Sequence, residues 1–180
     1  MPLFADYEPL KHGTSAPPGL SIRPATRDDL PALAAIRAAR DGIPEEEAAA
    51  VFARQLASAD AGLAQVLVAT VAGAPVGYGV AHRMALPGLP DGWYLGGVVV
   101  TPAHRRSGIG ARLTRARLEW IAARAERAYY FTNERNRASV DLHARFGFRE
   151  VVRGLDVPGL TFTGGVGLLF GVELPAAGET

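Results

Sequence analysis

The chain contains no cysteine, which excludes a disulfide framework, a zinc-thiolate site and an iron–sulfur cluster. The same absence removes any reaction that runs through a cysteine acyl-enzyme. Lysine is almost as scarce: the 19 basic residues are one lysine, Lys11, and 18 arginines. Schiff-base chemistry would therefore rest on a single residue in a Pro/Gly-rich segment. Long apolar runs are missing too. The longest, Val66 to Ala81, is broken by Thr70, Gly73 and Pro75, whereas a membrane helix needs about 20 mainly apolar residues. Asp6 and Glu8 stand where a signal peptide would carry its positive region and apolar segment, so a cytoplasmic protein that enters no membrane is expected. Finally, there is no excess of either charge. Nineteen basic against 18 acidic residues leave +1, which does not suggest a nucleic-acid or membrane-surface binder.

What remains is ordinary globular material, with 48% hydrophobic and 21% charged residues. At 180 residues the length favours one domain of about 100–200 residues. Residues 1–19 carry Pro2, Pro9, Gly13, Pro17, Pro18 and Gly19 and read as a flexible tail, leaving residues 20–175 as the domain. Leu20 to Ala25 suits a strand. Thr26 can cap the helix after it, which ends near Gly42, and a second helix opens at Pro44, where proline is tolerated. Val66 to Val71 and Val76 to His82 read as a hairpin through Gly73-Ala74-Pro75. A strand follows over Trp93 to Val100. From Ser107 the period changes, with Ile109, Leu113, Ala116 and Trp120 on one stripe, as in an amphipathic helix. Ala128 to Thr132, Ala138 to Phe146, Phe148 to Val152 and Gly165 to Leu174 complete the order βααβββαβαββ, a mixed α/β chain on one sheet.

The most informative stretch is Val98-Val99-Val100-Thr101-Pro102-Ala103-His104-Arg105-Arg106-Ser107-Gly108-Ile109-Gly110-Ala111. A buried strand runs into a turn with two arginines and two glycines, then into a helix. A helix N-terminus has unpaired N–H groups and partial positive charge, glycines admit close approach, and arginines add charge, so this is a diphosphate cradle. A Walker loop would need a lysine that is absent here. A Rossmann fingerprint would need glycine at Leu113 and no residues between strand and glycine turn. The pattern Arg-x-x-Gly-x-Gly/Ala after a Val-x-Pro strand end instead resembles the coenzyme A pyrophosphate loop of the GCN5-related N-acetyltransferases. Asn136-Arg137-Ala138-Ser139-Val140-Asp141-Leu142-His143-Ala144-Arg145-Phe146-Gly147-Phe148 resembles that superfamily's second signature, Asn-x-x-Ala/Ser-x-x-Leu-Tyr-x-x-x-Gly-Phe.

The resemblance implies a mixed, mostly antiparallel sheet with splayed central parallel strands and helices on both faces. It implies acetyl-CoA as cosubstrate, with the pantetheine arm along the backbone of Val98, Val99 and Val100 and the thioester oxyanion at a strand N–H near Val100. The pyrophosphate would take N–H groups from Arg105, Arg106, Ser107, Gly108, Ile109, Gly110 and Ala111, and Gly96-Gly97 sits where relatives often have a bulge. Asn136 would contact pantetheine or fix the strand end. His143 replaces the usual tyrosine that protonates the departing thiolate. Tyr94 falls where some relatives have a carboxylate base; a phenol is a poor base at neutral pH, so the expectation is a water relay reaching Asp91 or an amine that arrives neutral. The remaining histidines, His12, His82 and His104, have no comparable support, and no metal-ligand spacing links the four. The loop between the first helices, the loop Arg83 to Trp93 and the segment Gly159 to Gly165 would select the acceptor. Asp41, Glu45, Glu46, Glu47 and Asp91 offer charge to a polyamine or an aminoglycoside-type antibiotic, although three glutamates after Pro44 also suit a helix N-terminus. The expected activity is N-acetylation of a small-molecule primary amine by direct attack, with a homodimer compatible. The alternatives are a protein N-terminus or lysine as acceptor, and a non-catalytic module that binds CoA.

Overall fold

A computed structural model describes residues 16–157, 159, 161, 162 and 165–175. Lys11 and His12 and most of the expected tail lie outside these residues, as does part of the segment Gly159 to Gly165. The elements are β1 (Leu20–Pro24), α1 (Leu30–Asp41), α2 (Glu45–Asp60), β2 (Ala64–Val71), β3 (Ala74–Met84), β4 (Gly92–Val100), α3 (Ile109–Ala122), β5 (Arg127–Asn133), α4 (Arg137–Ala144), β6 (Arg149–Arg153) and β7 (Gly167–Glu173). One seven-stranded sheet runs β1-β2-β3-β4-β5-β7-β6. Every neighbouring pair is antiparallel except β4 and β5. Among the described residues no helix is long and apolar enough to cross a membrane.

The period-2 alternation of the strands sorts the core into two layers. Val66, Val68, Tyr78, Val80 and Val99 meet Leu33, Phe52 and Leu56 from α1 and α2. On the opposite face, Leu67, Ala69 and Val76 meet Ile109 and Leu113 of α3. Ala81, Leu95, Tyr130 and Phe170 meet Leu118 and Ile121 further along the same helix. The β2–β3 hairpin closes through Ala72 and Gly73, at φ 49° and 84°, two successive left-handed residues whose twist matches that of the strands.

The expected cap at Thr26 is built around Asp29, which is 6% exposed. A short 3-10 turn, Arg27–Asp29, precedes α1. The Asp29 carboxylate accepts from both terminal nitrogens of Arg23, at 2.7 and 2.8 Å, and from the Thr26 N–H at 2.8 Å. These bonds hold its pKa down at about 2, with the Arg23 hydrogen bonds the largest cause. Other ion pairs, Arg27–Asp60 and Arg153 with Glu134 and Glu150, lie on the surface and contribute little each. Replacing Asp29→Ala removes the acceptor of a backbone N–H and of a guanidinium together. Urea unfolding at pH 7 should show a loss of roughly 2 kcal/mol, while Asp60→Ala should stay within about 0.5 kcal/mol of wild type.

Candidate functional site

Strands β4 and β5 are paired only at Trp93–Ala128 and Tyr94–Tyr129. Beyond Tyr94 they part, so the β5-facing edge of Leu95 to Val100 borders a wedge that opens toward the cradle. On its other edge β4 is joined to β3 with a register shift, Gly79 opposite Val98 but Ala81 opposite Leu95. One residue on β3, Val80, thus stands against two on β4, which is a bulge at Gly96-Gly97.

Arg117, fully buried on α3, fills the gap in that ladder. Its Nη1 donates to Val80 O and Gly96 O, both at 3.0 Å, its Nη2 to Thr114 Oγ1 at 3.0 Å and its Nε to Leu113 O at 3.2 Å. All four acceptors are neutral. Burial pushes its pKa down to about 9, still above neutrality, so the cation persists. On the α1 side neighbouring side chains pack where the bulge has none of its own. A Cβ at Gly96 would stand 3.2 Å from His82 Cε1 and 3.3 Å from its Nδ1, and one at Gly97 would stand 3.8 Å from Arg40 Nη1. Gly97 is exposed although it lies in the central strand. Arg40 and Arg37 share a single carboxylate, with Asp41 oxygens 3.5 Å and 3.3 Å from their Nε atoms.

At the wide end of the wedge, β4 leads through the 3-10 turn Pro102–His104 into α3. Arg106 and Gly108 both take left-handed φ, 64° and 78°, and Gly108 is the N-cap of α3. The turn is pinned by Ser107 Oγ donating to His104 O and by Arg105 Nε donating to Val100 O at 3.2 Å. The first N–H groups of α3, at Ile109, Gly110 and Ala111, have no carbonyl one turn earlier to bond. A Cβ at Gly110 would already reach Leu142 at 3.8 Å. Val98 and Val100 pack toward α3 and Val99 toward α1. The turn Arg105 to Ala111 and the strand end Val98 to Val100 therefore lie together at the wide end of the wedge.

Asn136 stands between β5 and α4. Its Nδ2 donates to Thr132 Oγ1 at 3.2 Å, and its Oδ1 accepts from Ser139 N at 3.3 Å as the N-cap of α4. Of the two roles expected for it, this geometry is that of fixing the strand end. Tyr94 is fully buried, donates its phenol to Pro90 O at 2.7 Å and stacks on Tyr129. Burial lifts its pKa to about 12. The expected relay from Tyr94 to Asp91 is revised on this ground: the hydroxyl is committed to a carbonyl and holds its proton.

His143 also departs from its expected role. It is 2% exposed, stacked on Tyr130 at 4.0 Å and edge-on to Phe148. Its Nδ1 lies 2.8 Å from Ser139 O, an acceptor only, so Nδ1 carries the proton. Nε2 is buried with no hydrogen-bond partner among the described residues. Burial, then the charge of Arg117, push its pKa down to about 3. At neutral pH the ring thus has a bare Nε2 and no proton there to give, and the acid role is revised to packing.

Two site residues escaped the sequence reading. Arg117 falls four residues beyond Leu113 on the apolar row from Ile109, and a charge on a buried row is a signal in itself. His82 offered none, because its neighbour across the bulge depends on a register shift.

The profile of the acetyltransferase (GNAT) family matches residues 30–148, and the chain belongs to that family. A 54-residue stretch is 50% identical to an acetyl transferase of rice (Oryza sativa subsp. japonica), GW6a, covering 29% of this chain but only 13% of the rice protein. Solved structures share the fold. The structure of yncA from Salmonella typhimurium, with its cofactor acetyl-CoA, aligns at TM-score 0.67 and 21% identity over 89% of this chain and 97% of its own. The ribosomal-protein-alanine N-acetyltransferase of Brucella melitensis aligns at 0.68 and 25% over 86% and 99%. A phosphinothricin acetyltransferase from Sinorhizobium meliloti aligns at 0.67 and 16% over 87% and 89%.

The burial of His143 gives a pH signature. An unfolded imidazole binds a proton near pH 6.5 whereas the folded one resists to about 3. Its contribution to stability is therefore complete above 6.5 and is lost as pH falls toward 3. Between pH 7.5 and 5 the wild type should lose about 2 kcal/mol from this group, a loss that His143→Phe should not show in urea titrations at the two pH values.

Proposed function

We propose that the protein is an acetyl-CoA-dependent N-acetyltransferase whose acceptor is a small primary amine that also carries an anionic group. The cradle at Gly108 to Ala111 and the wedge beside Val98 to Val100 support the cosubstrate. With no cysteine in the chain, the amine attacks the thioester directly in a ternary complex. A backbone N–H of the bulged β4 meets the developing oxyanion.

The acceptor class rests on one observation: on the face where Gly97 is exposed, the guanidinium of Arg40 stands 3.8 Å from where a Gly97 Cβ would be. Among the described residues Arg37 and Arg40 pair with one carboxylate, that of Asp41, so this rim is net positive. It repels a polycation such as an aminoglycoside and attracts a carboxylate or a phosphinate. Glu45, Glu46 and Glu47 lie in the first turn of α2, where they serve the helix dipole. Among the similar structures one is named for phosphinothricin, another for a ribosomal protein. A rim that places a cation one side chain from the bulge favours an acceptor of amino-acid size.

Acetyl-CoA should raise the melting temperature, since a ligand of the native state stabilises by mass action, while NAD and ATP should do far less. Gly108→Asp puts a carboxylate where the phosphates sit and a Cβ at a left-handed residue. It should weaken acetyl-CoA binding at least about 100-fold in calorimetry, a loss of roughly 3 kcal/mol, with the fold retained. CoA release should be measured over a panel of L-amino acids, aminoglycosides and N-terminal peptides. The L-amino acids should turn over, and Arg40→Ala should raise their KM about tenfold, the measure of one charged contact, leaving the acetyl-CoA affinity unchanged. Turnover of polycations or peptides alone would refute the acceptor class.

A further inference from the structure

We infer that His82 is the general base that takes the proton from the acceptor amine, acting from β3 across the β4 bulge. The inference rests on the acetyl-transfer reading above but not on the anionic group of the acceptor. Its observation is the placement of the imidazole. The ring takes up the side-chain position that Gly96 leaves vacant, with Nδ1 and Cε1 3.3 and 3.2 Å from where a Cβ would stand. His82 is half-buried and the next residue of the bulge, Gly97, is open to solvent. A basic nitrogen therefore stands beside the β4 bulge, on the same face of the sheet as Arg40.

The other titratable groups near the wedge are unsuited to the task. Tyr94, directly across from His82 on β4, is committed to Pro90 O. His143 is sealed in the core of the other face. Asp41 is held between two arginines. Asp91 precedes β4, and at about 3.3 Å per residue it lies roughly 16 Å along the strand from Gly96.

The charges that bear on His82 keep it ready. Arg117 reaches the bulge from α3 on the opposite face, and Arg40 of α1 stands over the neighbouring glycine. Burial first, and then the Arg117 charge, lower its pKa from the ordinary histidine value. The imidazole is thus unprotonated at neutral pH, as a base must be.

In the reaction an acceptor that arrives as an ammonium gives one proton to the imidazole. The freed lone pair forms the C–N bond to the thioester carbonyl carbon. The C–S bond then breaks, its electron pair goes to sulfur, and the surplus proton on nitrogen passes to the thiolate to give free CoA. The imidazolium returns its proton to solvent. Amide, CoA thiol and one released proton account for every atom.

Two measurements test this. Diethylpyrocarbonate modifies neutral, reachable imidazoles, and mass spectrometry reads each histidine separately. Modification of His82 should rise with a midpoint below pH 6.5 and be suppressed by saturating acetyl-CoA. In His82→Gln, with the fastest L-amino acid of the panel, single-turnover rate at pH 7 should fall about 100-fold or more. Acetyl-CoA affinity should stay within about twofold of wild type, which also reports a folded site, and the rate defect should narrow above pH 9, where the amine loses its proton unaided. Modification of His82 that acetyl-CoA leaves unchanged, or a wild-type rate in the variant, would overturn the inference. If the wild type acetylates no L-amino acid, the anionic acceptor class fails, and the protection experiment still decides whether His82 faces the thioester.

Discussion

One guanidinium holds the central strands in their irregular shape. An extra residue on β4 breaks the β3–β4 register beside the carbonyls of Val80 and Gly96, and a buried carbonyl without a donor costs about 1–3 kcal/mol. Arg117 supplies both with hydrogen bonds from a single nitrogen. The fold makes room for it: a Cβ at Gly79 would stand 3.0 Å from Arg117 Nε, so glycine is required beneath the cation. Among the described residues no acid pairs with it. The charge is instead spread over four neutral oxygens. Burial, and then the field of this charge, lower the pKa of His82 and His143. Bulge and wedge thus share one origin.

The wedge follows from the same irregularity. A strand that carries an extra residue bends and twists more strongly, and β4 leaves β5 after Tyr94. Below that point the sheet is closed by stacked aromatics, Tyr94 on Tyr129 and Trp93 edge-on to Trp120. Above it, glycines and valines line the opening. The closed half fixes the hinge point and the open half is free to admit a ligand. The phenol of Tyr94 ties the preceding loop to the closed half through Pro90.

Much of this was legible in the sequence. The element order βααβββαβαββ is the observed order, because strand alternation and helix stripes were strong and Gly/Pro punctuation separated them. The strand-to-helix turn at Arg105 to Ala111 was legible for a similar reason: its glycines and arginines are consecutive in the chain. The placement of Gly96-Gly97 at a bulge was equally local. The roles of Tyr94 and His143 were not, since the same side chain is an acid in a cleft and a spacer in a core. Only the pairing of β4 with β5 and the seat of α4 decide which. His82 and Arg40 come from β3 and α1, far apart in the chain, and meet the bulge only through tertiary packing.

The ion pairs described above are made by arginine throughout: Arg23, Arg27, Arg37, Arg40 and Arg153. A guanidinium stays protonated at any physiological pH and offers no free lone pair to an acyl donor, whereas a lysine ammonium in equilibrium with its amine does. A protein that holds a reactive thioester within its own sheet is continually exposed to acetylation of itself. Its electrostatic scaffold is written in the one basic side chain that this reagent leaves alone. With Lys11 the only lysine in the sequence, acetyl-CoA can accumulate around the folded domain without neutralising the charges that secure it.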